Sequence, residues 1–248
     1  MNIAIIGKGR VASHLGLALS SAGHEVAMCG GRNRDLPVPD EAEVVILSVK
    51  DSAISQVAQT LVQSKALVLH TSGSVPLDSI PSLRRGVFYP LQTFSLDRNV
   101  DFRKIPIFLE AGTEEDMSVL SQLASTISDT YLPMDSERRK ILHLAAVLCC
   151  NFVNHLFAIS HDILAEQGIP FSTLFPLMEE TLDKVRALPP HEAQTGPAVR
   201  WDENVIQSHI SMLANPIHRE IYRLLSESIH FSHTENSAAT DNDKLRPQ

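Results

Sequence analysis

Cysteine is scarce in this 248-residue chain: Cys29, Cys149 and Cys150 are its thiols, and the last two are neighbours that pair only with strain. A disulfide framework is excluded and a reducing compartment fits. Positive charge is also in short supply. Lys and Arg number 21 against 29 Asp and Glu, a formal charge of −8, which opposes a sequence-independent grip on a polyphosphate backbone and argues against a nucleic-acid partner. Uninterrupted apolar runs stop short of the roughly 20 residues of a membrane span. Met1 leads straight into Asn2-Ile3-Ala4-Ile5-Ile6-Gly7, with no basic stretch or cleavage site before it. The expectation is a soluble, cytoplasmic protein with no membrane association. Hydrophobic residues make up 44% of the chain, enough for a core, and the length suits one or two domains.

Residues 2–6 form a short apolar run ending at Gly7, the profile of a strand buried on both faces of a parallel sheet. Val11, Leu15, Ala18 and Ala22 then recur at helical spacing, and Gly23 stands where a C-terminal cap would. Residues 25–28 read as a second strand, and 44–49, 66–70, 86–89 and 107–109 as further strands of one sheet. A helix is expected over 52–62, with Asp51 at its N-cap, and an irregular connection over 30–43.

After Asp135 the pattern is helical. Ile141, Ala145, Leu148, Phe152, Leu156, Ile159 and Ile163 step by three or four residues within one predicted helix over 136–167, roughly 48 Å long. Further helices are expected over 172–188, 203–213 and 216–229. The polar stretch beyond Phe231 predicts disorder. The fold class is thus α/β, a Rossmann-type, mostly parallel sheet over 1–134 followed by an all-α C-terminal domain over 135–231 and a disordered tail over 232–248.

Gly7-Lys8-Gly9-Arg10-Val11-Ala12 has the form G-x-G-x-x-A between the first strand and the first helix. Gly7 permits the tight turn, Gly9 admits a pyrophosphate against backbone, Ala12 lets helix and strand pack, and the helix N-terminus offers free N–H groups. Where an NAD site presents a carboxylate after the second strand, this chain has Cys29-Gly30-Gly31-Arg32-Asn33-Arg34. Two arginines and no acid suit a 2′-phosphate, so the expected cofactor is NADP(H). Arg10 is either a further phosphate contact or an exposed helix residue.

His70-Thr71-Ser72-Gly73-Ser74 follows the fourth run, at the carboxyl end of the sheet where ligands of such folds lie. Ser72 and Ser74 either orient a substrate or cap the next turn. Tyr89 in Tyr89-Pro90-Leu91-Gln92-Thr93-Phe94 reaches the same rim, as a donor to substrate or a half-buried aromatic. On the long helix, His143, Val147, Cys150, Asn154, Phe157 and His161 make a second, partly polar stripe whose polar atoms need partners. His143 and Asn154 lie about 20° apart around the axis but roughly 16 Å apart along it, so they do not share one small substrate. Asn151 and Asn154 are helix neighbours able to act together. Arg200 is a candidate clamp for an anionic group, and Asp202 reads as an N-cap. His155 and His161 do not have metal-pair spacing, and no metal site is expected.

Taken together, the glycine turn, His70-Thr71-Ser72-Gly73-Ser74, Tyr89-Pro90-Leu91-Gln92-Thr93-Phe94, His143-Leu144-Ala145-Ala146-Val147 with Asn151-Phe152, and Thr195-Gly196-Pro197 with Arg200 and Asp202 resemble the provisionally assigned NADP oxidoreductases that join a Rossmann domain to a helical C-terminal domain of unknown function. The resemblance implies NADP binding, a substrate cleft between domains and a homodimer built through the helical domain. More distantly the chain is similar to the β-hydroxyacid and 6-phosphogluconate dehydrogenases, whose catalytic lysine lies one helical turn before an asparagine. Val147 stands four residues before Asn151 and Cys150 four before Asn154, so that lysine is missing, and His143 becomes the acid/base candidate. Prephenate dehydrogenases are a third likeness, with Tyr89-Pro90 where they carry His-Pro. The function this implies is hydride transfer between NADP(H) and a small polar substrate. A non-catalytic NADP(H) sensor and a prephenate-dehydrogenase-like enzyme are the alternatives.

Overall fold

The computed structural model describes residues 1–30, 38–95 and 97–244, with side chains to residue 235. Two compact units emerge, Met1–Val153 and Asn154–Gln248. The first is built on a seven-stranded sheet in the order β2-β1-β3-β4-β5-β6-β7: β1 Asn2–Ile6, β2 Glu25–Cys29, β3 Val44–Leu47, β4 Leu67–His70, β5 Arg85–Pro90, β6 Ile107–Ala111 and β7 Tyr131–Pro133. Strands β1 to β5 run parallel, β6 is antiparallel to β5, and β7 is parallel to β6.

The unbroken apolar runs have a direct cause, because both faces of the sheet are covered. Ile3 and Ile5 pack with Leu15 and Leu19 of α1 (Arg10–Ser21). Ala4, Val45 and Leu47 face the other way, onto Ile54 and Ala58 of α2 (Asp51–Gln59). Lys50, not Asp51, holds the N-cap position of α2, and Asp51 is its first residue, where a carboxylate still complements the helix dipole.

β6 falls where a strand is expected at 107–109, and α3 (Glu114–Ser125) with β7 then extends the sheet beyond the expected strands. Thr113 caps α3 by accepting from the Asp116 N–H at 3.1 Å, while β7 is a three-residue exposed edge too short to show a period in sequence. The change to all helix comes where expected, at α4 (Ser136–Ala146), whose cap Asp135 accepts from the Arg138 N–H at 2.8 Å. α4 nevertheless belongs to the first unit, because Leu142 packs on Val87, Tyr89 and Phe108 of the sheet. The boundary between units falls at residue 153, not 134.

The single helix expected over 136–167 is interrupted by a π turn, Val147–Phe152, before α5 (Val153–Glu166). A wider turn displaces the residues after it from a 3.6-residue stripe, so spacing arithmetic between His143 and Asn154 does not carry across it. The helix Ser136–Glu166 is long and apolar enough, by length and composition, to cross a membrane, with a window of mean hydropathy 1.7. No uninterrupted apolar run marks it in the sequence, because His143, Asn151, Asn154 and His155 break every run while leaving the mean high. Those side chains are costly against lipid and satisfiable against protein.

The second unit holds α6 (Phe175–Ala187), α7 (Pro190–Ala193), α8 (Glu203–Met212) and α9 (Pro216–Lys244). Asp202 caps α8, accepting from the Val205 N–H at 3.4 Å. Helix continues to Lys244 where the polar composition predicts disorder from 232, since extending a formed helix adds a hydrogen bond for each residue fixed. Among the described residues after 153, the buried hydrophobic side chains are Ile159, Ala198 and Ile206. Leu177, Met212, Ile217 and Phe231 are each more than 60% exposed.

Candidate functional site

The carboxyl ends of β1, β3, β4 and β5 share one rim. At the end of β1, Gly7 donates its N–H to the Cys29 carbonyl at 3.0 Å and has φ +140°. A Cβ at Gly7 would collide with the Ser48 carbonyl oxygen, so no other residue fits there. Gly9 is the N-cap of α1 with no side-chain cap, and a Cβ on it would meet nothing within 4 Å. Ala12 is fully buried and Lys8 and Arg10 are exposed. An uncapped helix N-terminus with open space at Gly9 fits a dinucleotide pyrophosphate. Arg32 and Arg34, the expected 2′-phosphate contacts, lie outside the described residues.

Next along the rim, the loop after β4 closes on itself. The Ser72 hydroxyl oxygen accepts from the N–H groups of Ser74 and Val75, each at 3.1 Å, so its first role is to cap this turn. Ser74 donates its hydroxyl to Asp51 at 2.5 Å, and Thr71 donates to the Ser48 hydroxyl at 3.3 Å, tying the ends of β3 and β4 together. His70 is fully buried beneath the loop and its Nδ1 accepts from the Ser72 N–H at 3.2 Å. Burial first, and then the Arg139 guanidinium, lower its pKa to about 4, so the ring is neutral.

The Tyr89 hydroxyl lies 3.0 Å from His143 Nδ1, with the two rings edge to face and their centroids 6.0 Å apart. Burial pushes the Tyr89 phenol above its usual range, so tyrosine keeps its proton, and where Nδ1 is unprotonated the hydroxyl donates to it. In the neutral tautomer that accepts from Tyr89, His143 carries its proton on Nε2. Gly73 packs closely against the ring: a Cβ there would lie 2.7 Å from both Cγ and Nδ1 of His143. Two residues chosen separately in sequence, one from β5 and one from α4, thus form one hydrogen-bonded pair at the ligand rim.

Asn151 is exposed on the π turn. Asn154 and Arg200 belong to the helical unit, where both are exposed. Arg200 precedes Trp201, whose φ of +51° is rare for a bulky residue and marks the Thr195–Asp202 stretch as tightly shaped. Sequence reasoning passed over Asp51 as a partner for Ser74, and it missed Arg139, whose buried ion pair with Glu110 stands beside this site. A charged residue one helical turn before His143 was the available signal, but its burial shows only once the helix is docked.

Such a rim defines a dinucleotide-binding α/β protein carrying a helical C-terminal unit. Residues 105–229 match the model of the domain of unknown function DUF2520, and the chain belongs to that family. No curated protein matches it. A Bacteroides fragilis protein provisionally assigned as an NADP oxidoreductase is 42% identical, with a TM-score of 0.86 over 92% of this chain and 97% of that one. A Thermotoga maritima protein shares the fold at 24% identity and a TM-score of 0.70, over 91% and 98% of the two chains. An imine reductase from Streptomyces aurantiacus shares it at 13% identity and a TM-score of 0.60, over 93% of each.

Proposed function

We propose that the chain is a cytoplasmic NADP(H)-dependent oxidoreductase acting on a small polar substrate with a carbonyl or imine group. The observation that carries this reading is the Tyr89–His143 hydrogen bond on the same rim as the open glycine turn. The B. fragilis relative's provisional assignment supports it. The glycine turn would hold the pyrophosphate, and Arg32 and Arg34 the 2′-phosphate; the bound nicotinamide supplies the hydride chemistry. His143 Nε2–H donates a hydrogen bond to the substrate oxygen or nitrogen, and the protonated ring gives up its Nε2 proton as that atom gains an electron pair, ending neutral. Tyr89 holds Nδ1 and so fixes which nitrogen faces substrate. Ser74 orients the substrate, with Asn151 of the same unit as a further polar contact.

Purified protein should consume NADPH with some member of a carbonyl and imine panel. His143→Gln should lower kcat by about 10² to 10⁴, the usual worth of a general acid, and Tyr89→Phe by roughly tenfold. Undiminished turnover in His143→Gln would remove this mechanism. A second reading, a non-catalytic NADP(H) sensor, is favoured by Val147 and Cys150 standing where the distant superfamily has its lysine. Any turnover abolished by Gly9→Trp counts against the sensor.

The helical unit is proposed to be completed by a second copy of the chain. Its small buried core beside exposed Leu177, Met212, Ile217 and Phe231 supports a homodimer, because apolar surface on this scale marks an interface.

A further inference from the structure

Arg139 has no exposed side-chain surface, although it sits in a helix at the edge of the first unit. Its guanidinium pairs through Nη1 with Glu110 of β6, and Nη2 donates to the Val75 carbonyl at 2.7 Å and to the Ser136 hydroxyl at 3.2 Å. Ser136 in turn donates its N–H and hydroxyl to Glu110, at 3.0 Å and 2.8 Å, and accepts from the Leu77 N–H at 3.0 Å. One guanidinium and one carboxylate therefore join the first turn of α4, the strand β6 and the segment 75–77.

His143 lies four residues beyond Arg139, one turn further on the same face of α4. It touches the neighbours of the pieces that Arg139 joins: Gly73 is two residues before Val75, and Tyr89 is on β5, where Val87 pairs directly with Glu110. A buried ion pair is weak evidence of stability, since well-packed apolar residues of similar volume serve as well. A planar guanidinium forked between two acceptors adds direction, which a hydrophobic contact does not.

We propose that the Arg139–Glu110 pair is a positioning device for His143, setting the rotation and depth of α4 so that Nδ1 meets the Tyr89 hydroxyl and the ring rests on Gly73. The inference rests on His143 as the proton donor proposed above.

The test is the ring ¹⁵N spectrum of His143 in the full-length protein, in alkaline buffer where the imidazole is neutral. Wild type should show one tautomer, Nε2–H, favoured at least about tenfold, which a merely structural role for the pair would not require. The double variant Arg139→Met with Glu110→Leu removes both charges and keeps the volume apolar. It should fold, bind NADPH within about twofold of wild type, and show the two tautomers within about threefold of each other. A folded double variant with the wild-type spectrum overturns the proposal, as does wild type with mixed tautomers. Arg139→Lys keeps a cation for Glu110 but cannot fork to Val75, and it decides the matter if the double variant does not fold. A mixed spectrum there supports the proposal and an unchanged one overturns it. Failure of the catalytic reading is separate, because full turnover in His143→Gln would leave the tautomer result standing.

Discussion

Gly7 and Gly9 look alike in the motif and differ in what surrounds them. Gly7→Ala places a Cβ into the Ser48 carbonyl and should cost several kcal/mol, read as a lower urea midpoint. Gly9→Trp enters open space, so it should leave the melting temperature within a few degrees of wild type while abolishing NADPH binding by calorimetry. His70 predicts a pH effect with a definite sign. The folded ring stays neutral down to about 4, whereas the unfolded ring takes its proton near 6.5. Between those values the unfolded state binds more protons, so stability is lost as pH falls through that window, by roughly 3 kcal/mol for this group. Urea unfolding from pH 8 to pH 4 should show a flatter pH dependence for His70→Gln than for wild type, and equal slopes would refute the assignment.

At the scale of elements, caps and docking decide what the helices present. Asp135 caps α4 and accepts from Arg138 at 2.8 Å, so Asp135→Ala should cost about 1 kcal/mol in urea unfolding. It should also weaken turnover more than the Asp202→Ala cap variant of α8, because α4 alone of these two helices carries His143. The π turn divides the long helix into a part docked on the sheet through Leu142 and a part counted with the second unit. A helix that meets two environments needs its apolar stripe in two registers, and one wide turn supplies the change.

For the whole molecule, two measurements belong together. Sedimentation should find a dimer at micromolar concentration, and a monomer throughout would remove the homodimer. Titration with NADPH and then NADH, followed by the fluorescence of the single tryptophan, Trp201, should give NADPH an affinity at least tenfold tighter, about 1.4 kcal/mol. Equal affinities would sink the proposed roles of Arg32 and Arg34.

The order of strands up to Ile107, the glycine turn and the switch to helix after Asp135 were all legible from residue order, because each is written in local periodicity or turn chemistry. His143, Tyr89, Ser72 and Ser74 could be named on the same grounds, but not the bonds among them. Tyr89 and His143 are 54 positions apart and meet because α4 docks on β5. Ser74 finds Asp51 across the ends of two strands 23 residues apart, and Arg139 is buried only once β6 brings Glu110 beneath it. The edge strand β7 and the π turn were invisible for the same reason. A local pattern records which face of an element is apolar, whereas a partner distant in sequence is chosen by how the elements pack.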